Sequence, residues 1–236
     1  MRDYFEFNGV SSLAMGLQIE GEPVYHTGSK IVERYTVPGR PGTLIYDTGA
    51  YSNSEAAYTV SLVGGNIEEK LYAITAWLCN PSGYARLEDT QEPDVFRLAY
   101  CDEPLEFVRK LKLTGKGDIH FNCMPQRYLK SGDEYEAVVS GDTLTNDYLP
   151  ARPLIEVTGS SGGTLTINET VMTFSNVPTT LTVDCENCLV YAGTTNYSSL
   201  VSLSGYEFPV LKPGANTVAF SGGITGIRMK PRWWTL

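Results

Sequence analysis

Apolar residues in this chain recur mostly at every second position. Tyr58, Val60 and Leu62 share one face of the run Ala57 to Val63, and Ile119, Phe121 and Cys123 alternate with His120 and Asn122. A period of two predicts half-buried β-strands. Shorter runs of strand type fall at Tyr4 to Phe7, Leu13 to Ile19, Ile31 to Val37, Thr43 to Tyr46, Val95 to Cys101 and Phe107 to Leu113. One stretch breaks this rhythm. Ile67, Leu71, Ile74 and Leu78 are spaced by four, three and four, the stripe of an amphipathic helix facing a core. Gly64 and Gly65 end the preceding strand. Asn66 is placed as N-cap with Glu69 completing a capping box, and Pro81 and Gly83 stop the helix.

The second half reads as short strands with frequent turns. Strand-like runs cover 154–157, 163–167, 171–174, 181–183, 189–191, 208–211, 216–220 and 224–229. Gly159-Ser160-Ser161-Gly162-Gly163, Lys212 to Asn216 and Ser221-Gly222-Gly223 read as the turns between them. Such spacing predicts a β-sandwich. Asn146 to Pro153 has two prolines and little periodicity, as linkers do. The expected organisation is therefore mainly β. Residues 1–149 form an N-terminal β-rich domain with one helix, and residues 150–236 form a C-terminal sandwich. The segment 83–94, rich in turn formers and acids, reads as a connection.

Composition narrows the function. The chain has 236 residues, is 42% hydrophobic and carries a formal net charge of −9. An acid excess argues against a protein that grips nucleic acid. No apolar run approaches the ~20 residues that span a bilayer. The N-terminus lacks the order of a signal peptide, so the five cysteines are expected to be reduced thiols.

A search for catalytic chemistry is negative. Neither His26 nor His120 lies beside a serine or cysteine in a nucleophile motif. Cys185-Glu186-Asn187-Cys188 lacks a redox fold setting and a second cysteine pair for zinc, so it reads as a turn. Glu68-Glu69 and Glu88-Asp89 are paired acids with no visible cleft, and no phosphate-binding glycine loop is present. No cofactor or metal is expected, and the chain reads as a structural or binding protein rather than an enzyme. Arg109, Lys110, Lys112 and Lys116 read as solvated positions of an exposed hairpin. Trp233 and Trp234 read as packing anchors.

One stretch stands out as a contact element. In Pro38-Gly39-Arg40-Pro41-Gly42, each proline suits the second position of a β-turn and each glycine the third, where φ is positive. The two turns hold one guanidinium, whose planar fork of donors suits carboxylates or backbone carbonyls. Pro38, Gly39, Arg40, Pro41 and Gly42 are the candidate assembly interface.

Several motifs, in order, resemble the distal tail protein (Dit) family of long-tailed phages and prophages. In the first half they are Phe5-Glu6-Phe7-Asn8-Gly9, Gly16-Leu17, Val37 to Gly42 and Phe121 to Gly132. In the second half they are Pro153 to Gly159, Phe208 to Asn216 and Pro231 to Leu236. The resemblance implies a homohexameric ring built by the N-terminal domain and a galectin-like C-terminal domain. It implies a place at the distal tip of the virion tail, after assembly in the bacterial cytoplasm. The ring would bind tail tube protein above and tail-tip or tail-associated lysin protein below. Receptor-binding protein is a further partner in the family, and DNA would pass through the channel without specific binding. The short links between second-half strands leave no room for the long arm with which some relatives hold receptor-binding proteins. The alternative function is a carbohydrate-binding module attaching to a host surface through residues 153–236. His120-Phe121-Asn122 with Arg127 resembles a galectin sugar motif, although it lies in the first half.

Alkylation of the purified, denatured protein without reductant should modify all five cysteines, as read by mass spectrometry. A Cys185–Cys188 bridge in fresh protein would contradict the assignment.

Overall fold

The computed structural model describes residues 3–63, 66–102, 106–111 and 114–236, with backbone alone for Val63, 106–111 and Thr114. The chain is mainly β and divides into two compact units, Met1–Arg127 with Leu236, and Tyr128–Thr235. Among the described residues no helix is long and apolar enough to cross a membrane.

The first unit is a mixed-order antiparallel sheet backed by the helix Ile67–Cys79. Hydrogen-bonded neighbours run Val10–Ser11, Phe5–Phe7, Ala85–Asp89, Val95–Tyr100, Thr114–Leu129, Ser54–Val63 and Leu17–Ile19. The central pair is the longest. Ser54–Val63 opposes Thr114–Leu129 in unbroken register from Ser54↔Cys123 to Val63↔Thr114. Alternation then does what the sequence predicts. Tyr58, Val60, Leu62, Ile119, Phe121 and Cys123 all point into one core and are fully buried. The helix adds Ile67, Ile74, Trp77 and Leu78, with Leu71 partly buried.

Aromatic side chains dominate this core. Phe5 stacks on Trp77 at 5.7 Å and meets the edge of Phe121 at 5.5 Å. Trp77 Nε1 donates to the Phe7 carbonyl at 3.1 Å, so its polar edge is satisfied in the interior. A buried polar knot closes one side of the sheet. The hydroxyls of Tyr25 and Tyr58 both donate to Asp89 Oδ2, at 2.8 and 2.7 Å. Arg97 is buried, pairs with Glu92, lies 3.9 Å from Asp89 and stacks on Tyr25. Burial and then the Asp89 charge push both phenols above their ordinary pKa, which keeps them as donors.

Two expectations are corrected here. Ala85–Asp89 is a strand with alternating burial, not a connection, and its acidic Asp89 is a core hydrogen-bond acceptor. Asn66 precedes the helix in left-handed conformation, φ 60°, and makes no side-chain cap. Its amide donates instead to Glu69 at 3.1 Å, so the reciprocal capping box does not form. Gly64, Gly65, Lys112 and Leu113 lie outside the described residues, as do the side chains of Arg109 and Lys110. Lys116 of the basic hairpin pairs with Glu20 at 2.8 Å.

The second unit is built on two long bent strands, Leu154–Ile167 and Gly214–Lys230, which pair from Leu154↔Lys230 to Ile167↔Val218 with shifts of register at the bend. The outer partners change at the bend. Leu154 to Val157 pairs with Leu181–Asp184, whereas Gly163 to Ile167 pairs with Thr170–Phe174. On the other strand, Asp142–Asn146 pairs before the bend and Glu136–Val138 after it. One network thus folds into two layers over a core that includes Ile155, Val157, Leu165, Phe174, Val218 and Met229. The sequences read above as turns, 159–163 and 221–223, are these bends inside continuous strands. Glycine is needed there because the backbones touch. A Cβ on Gly163 would lie 2.4 Å from the Ser221 carbonyl, and one on Gly159 would lie 2.6 Å from that of Gly223. Residues 208–211, read as a strand, contribute only a bridge from Leu211 to Ala151.

The unit boundary at 127/128 differs from the sequence expectation of 149/150. The proline-bearing stretch 146–153 is tied into the second core rather than free. Asn146 is buried and donates to the carbonyls of Leu149 and Leu211 at 2.9 and 3.0 Å.

Asp184 anchors one end of the second unit. It accepts from Arg232 at 2.8 Å and from the Asn187 side chain at 2.9 Å. Burial works to raise its pKa, but the Arg232 and Asn187 contacts outweigh it and hold the carboxyl below its ordinary value. A lowered folded pKa contributes stability above the unfolded value of about 4, which is lost as pH falls through the folded one. Thermal melts of wild type should therefore fall between about pH 5 and pH 3. Asp184→Asn should melt lower at pH 7 and lose less over the same interval; parallel curves would refute the assignment.

Candidate assembly interface

Among the described residues, the strands Lys30–Thr36 and Thr43–Tyr51 form a separate two-stranded ribbon, paired only with each other. Its closing loop holds the Pro-Gly motif. Arg40 N donates to the Val37 carbonyl at 3.1 Å and Gly39 has φ 81°, so Val37-Pro38-Gly39-Arg40 is a type II turn. Gly42 repeats the conformation with φ 79°. The turn chemistry read from the sequence is thus realised, and it holds Arg40 exposed at the tip.

The ribbon has no core of its own. In the register Glu33↔Tyr46 and Tyr35↔Leu44, the side chains of Tyr35, Leu44 and Tyr46 share one face. They are 50%, 43% and 60% exposed, and Ile45 on the opposite face is 61% exposed. An isolated two-stranded hairpin is marginal in water, and clustered exposed apolar side chains mark contact surfaces. The sequence marks both runs as strands but carries no sign that these apolar side chains stay exposed.

The root of the ribbon is fixed firmly. Ser52 N donates to the Ser29 carbonyl at 2.8 Å, and Ser29 N to Ser52 Oγ at 3.0 Å. His26 N donates to the Glu55 carbonyl at 2.8 Å. Gly28 has no room for a side chain, because a Cβ would lie 2.5 Å from the Ser52 carbonyl. Beside this root opens a cleft of about 400 Å³, lined by polar groups from the ribbon ends and the central strand pair. His26, Asn53, Glu55, Asp102, His120 and Asn122 are on its wall. His120 Nδ1 meets Glu55, and Asn53 Nδ2 donates to Asn122 Oδ1 and to the Tyr84 hydroxyl, each at 2.7 Å.

No family model and no curated protein matches the chain. Solved structures do. The crystal structure of the SPP1 Dit protein (gp 19.1) aligns with 98% of this chain and 99% of its own, with a TM-score of 0.73 and 12% identity. The fold is that of a Dit protein. That structure is described as a paradigm of the hub adsorption apparatus in Gram-positive infecting phages. At this identity the likeness is one of fold.

Within the Dit-like fold the remaining candidates take plain places. The two histidines meet at the cleft, but no group of three His, Cys, Asp or Glu among the described residues is arranged to hold a metal. The sugar-like motif is split: His120 and Asn122 line the cleft, Phe121 is in the core, and Arg127 pairs with Glu92. Cys185 to Cys188 forms a turn with both thiols free. Burial pushes the Cys123 thiol up to about 11 and that of Cys185 higher, so neither is poised as a nucleophile. Trp233 packs against the second core, and Trp234 Nε1 donates to the Pro150 carbonyl at 2.9 Å.

Leu44→Ser combined with Tyr46→Ser should leave the melting temperature within a degree or two, because neither side chain belongs to a core. Self-association should weaken by about tenfold or more, since exposed aromatic anchors carry contact energy. Sedimentation velocity across a concentration series reads this directly; an unchanged profile would remove the ribbon face from assembly.

Proposed function

We propose that this protein is a non-enzymatic tail hub, a Dit protein that forms a homohexameric ring between the phage tail tube and the tail tip. The observation that carries the reading is the fold match over the whole length of both chains. The exposed ribbon supports it, because a stable domain that presents an uncovered apolar β-arm is built for assembly. In this reading the ring is made by the N-terminal domain, placed at 1–149 by sequence and containing the ribbon. Pro38, Gly39, Arg40, Pro41 and Gly42 form the tip that meets a neighbour. The C-terminal domain, read as 150–236 from sequence and extended by 128–149 in the folded unit, is a galectin-like sandwich. Tail tube protein lies on one side of the ring and tail-tip or tail-associated lysin protein on the other.

Charge is consistent with a conduit. Six chains carry 6 × −9 = −54. An acidic wall repels DNA and lets it slide, whereas a basic wall would hold it.

Light scattering should approach about 155 kDa, from 6 × 25.9 kDa, and negative-stain images should show six-fold rings. Arg40→Ala should shift the distribution toward monomer while leaving the melting temperature unchanged. A strictly monomeric protein at high concentration, without binding to tube or tail-tip protein, would sink the hub reading.

A further inference from the structure

The cleft at the ribbon root and the cation at the ribbon tip are complementary in chemistry. The wall presents the carboxylates of Glu55 and Asp102, with Asn, Ser and Thr side chains between them. No lysine or arginine is among its lining residues. Such a site suits a planar donor with positive charge. At about 400 Å³ it lies toward the small end of the ~300–1,000 Å³ range of ligand sites. Arg40 is the matching group. Its backbone is set by the type II turn, it stands exposed, and its guanidinium makes no hydrogen bond or ion pair among the described residues.

Arg40 cannot enter the cleft of its own chain. The seven strand residues Lys30–Thr36 separate the tip from the root. At about 3.3 Å per residue that is roughly 20 Å of ribbon. The root is pinned by the Ser29–Ser52 hydrogen bonds and the close approach at Gly28, so the ribbon does not fold back on it. A second copy carries the same tip and the same cleft.

We infer that the Arg40 turn of one copy docks in the Glu55–Asp102 cleft of the next, making a heterologous contact that repeats around the ring. The inference rests on the ring reading above and gives it a specific latch. Tip and socket are different surfaces, so each copy donates one and accepts one. Such head-to-tail contacts close into a ring when the rotation allows. The guanidinium is drawn by both carboxylates, and its five donors exceed what Glu55 can accept while it also engages His120. Asp102 and the Asn53 and Asn122 carbonyl oxygens supply the remaining acceptors.

The test is a cysteine pair in the full chain. Pro41→Cys, beside the docking cation, and Thr27→Cys, on the cleft wall, leave Arg40 and its acceptors in place and are introduced together with Cys79→Ser and Cys188→Ser, which remove the native exposed thiols. A disulfide needs Cα atoms within about 7 Å, so the two sites of one chain cannot bridge. Mild oxidation should give a covalent ladder extending past the dimer on a non-reducing gel, whereas either single cysteine can give at most a dimer. In parallel, Arg40→Glu should weaken self-association about tenfold or more, and Glu55→Lys or Asp102→Lys in the same chain should recover most of it. A wild-type ring with no ladder past the dimer overturns the latch and leaves the hub reading standing. An oligomer indifferent to Arg40→Glu also overturns it, giving the cleft to another occupant such as a tail-tip peptide or a saccharide. Absence of any wild-type oligomer removes the ring and the latch together.

Discussion

The antiparallel ladder between Ser54–Val63 and Thr114–Leu129 is the constraint on which the first unit depends. Its register decides which side chains enter the core. A slip by one residue would turn Tyr58, Val60, Leu62, Ile119 and Phe121 to the opposite face. The same register sets Glu55 opposite Asn122 and His120 opposite Ala57, which builds the floor of the cleft. Core and cleft are therefore two faces of one pairing. The ribbon leaves this ladder just before Ser54 and inherits its anchorage from it.

Stability and the proposed assembly contacts fall to different residues. The aromatic cluster of Phe5, Phe7, Tyr58, Trp77 and Phe121 and the buried Asp89–Arg97 knot hold the first unit without using the ribbon. The second unit closes on itself through two bent strands. Neither core cluster includes a ribbon residue, so the exposed apolar side chains there are open to the proposed contact. In the proposed ring, an acid excess would limit non-specific association of the copies until a fitting surface covers the ribbon. The proposed latch adds direction, because a cation tip and an acidic socket fix which surface meets which.

Much of the site was legible in local chemistry. Pro38-Gly39 and Pro41-Gly42 specify their turns through φ preferences that need no tertiary context, and the turns form as read. The cleft was not legible. Glu55, Asp102 and the His120–Asn122 stretch are far apart in sequence and come together only in the folded unit, with nothing local to announce it. Asp89 shows the same limit from the other side. It sits in an acidic run typical of a surface connection, yet two tyrosine hydroxyls and a buried arginine make it an interior acceptor.

By itself the sequence determined the β class, the single helix with its buried stripe and the inward face of each central strand. Those follow from periodicity, which is a property of neighbouring residues. Tertiary structure alone decided the rest. It made 159–163 and 221–223 into bends, where the backbones approach too closely at Gly159, Gly163 and Gly222 for a side chain. It drew 128–149 into the second unit, because Glu136–Val138 and Asp142–Asn146 find their partner in Gly214–Lys230 some 80 residues on. It also left the ribbon bare. Exposure is decided by what packs against a strand, and no strand carries that information in its own residues.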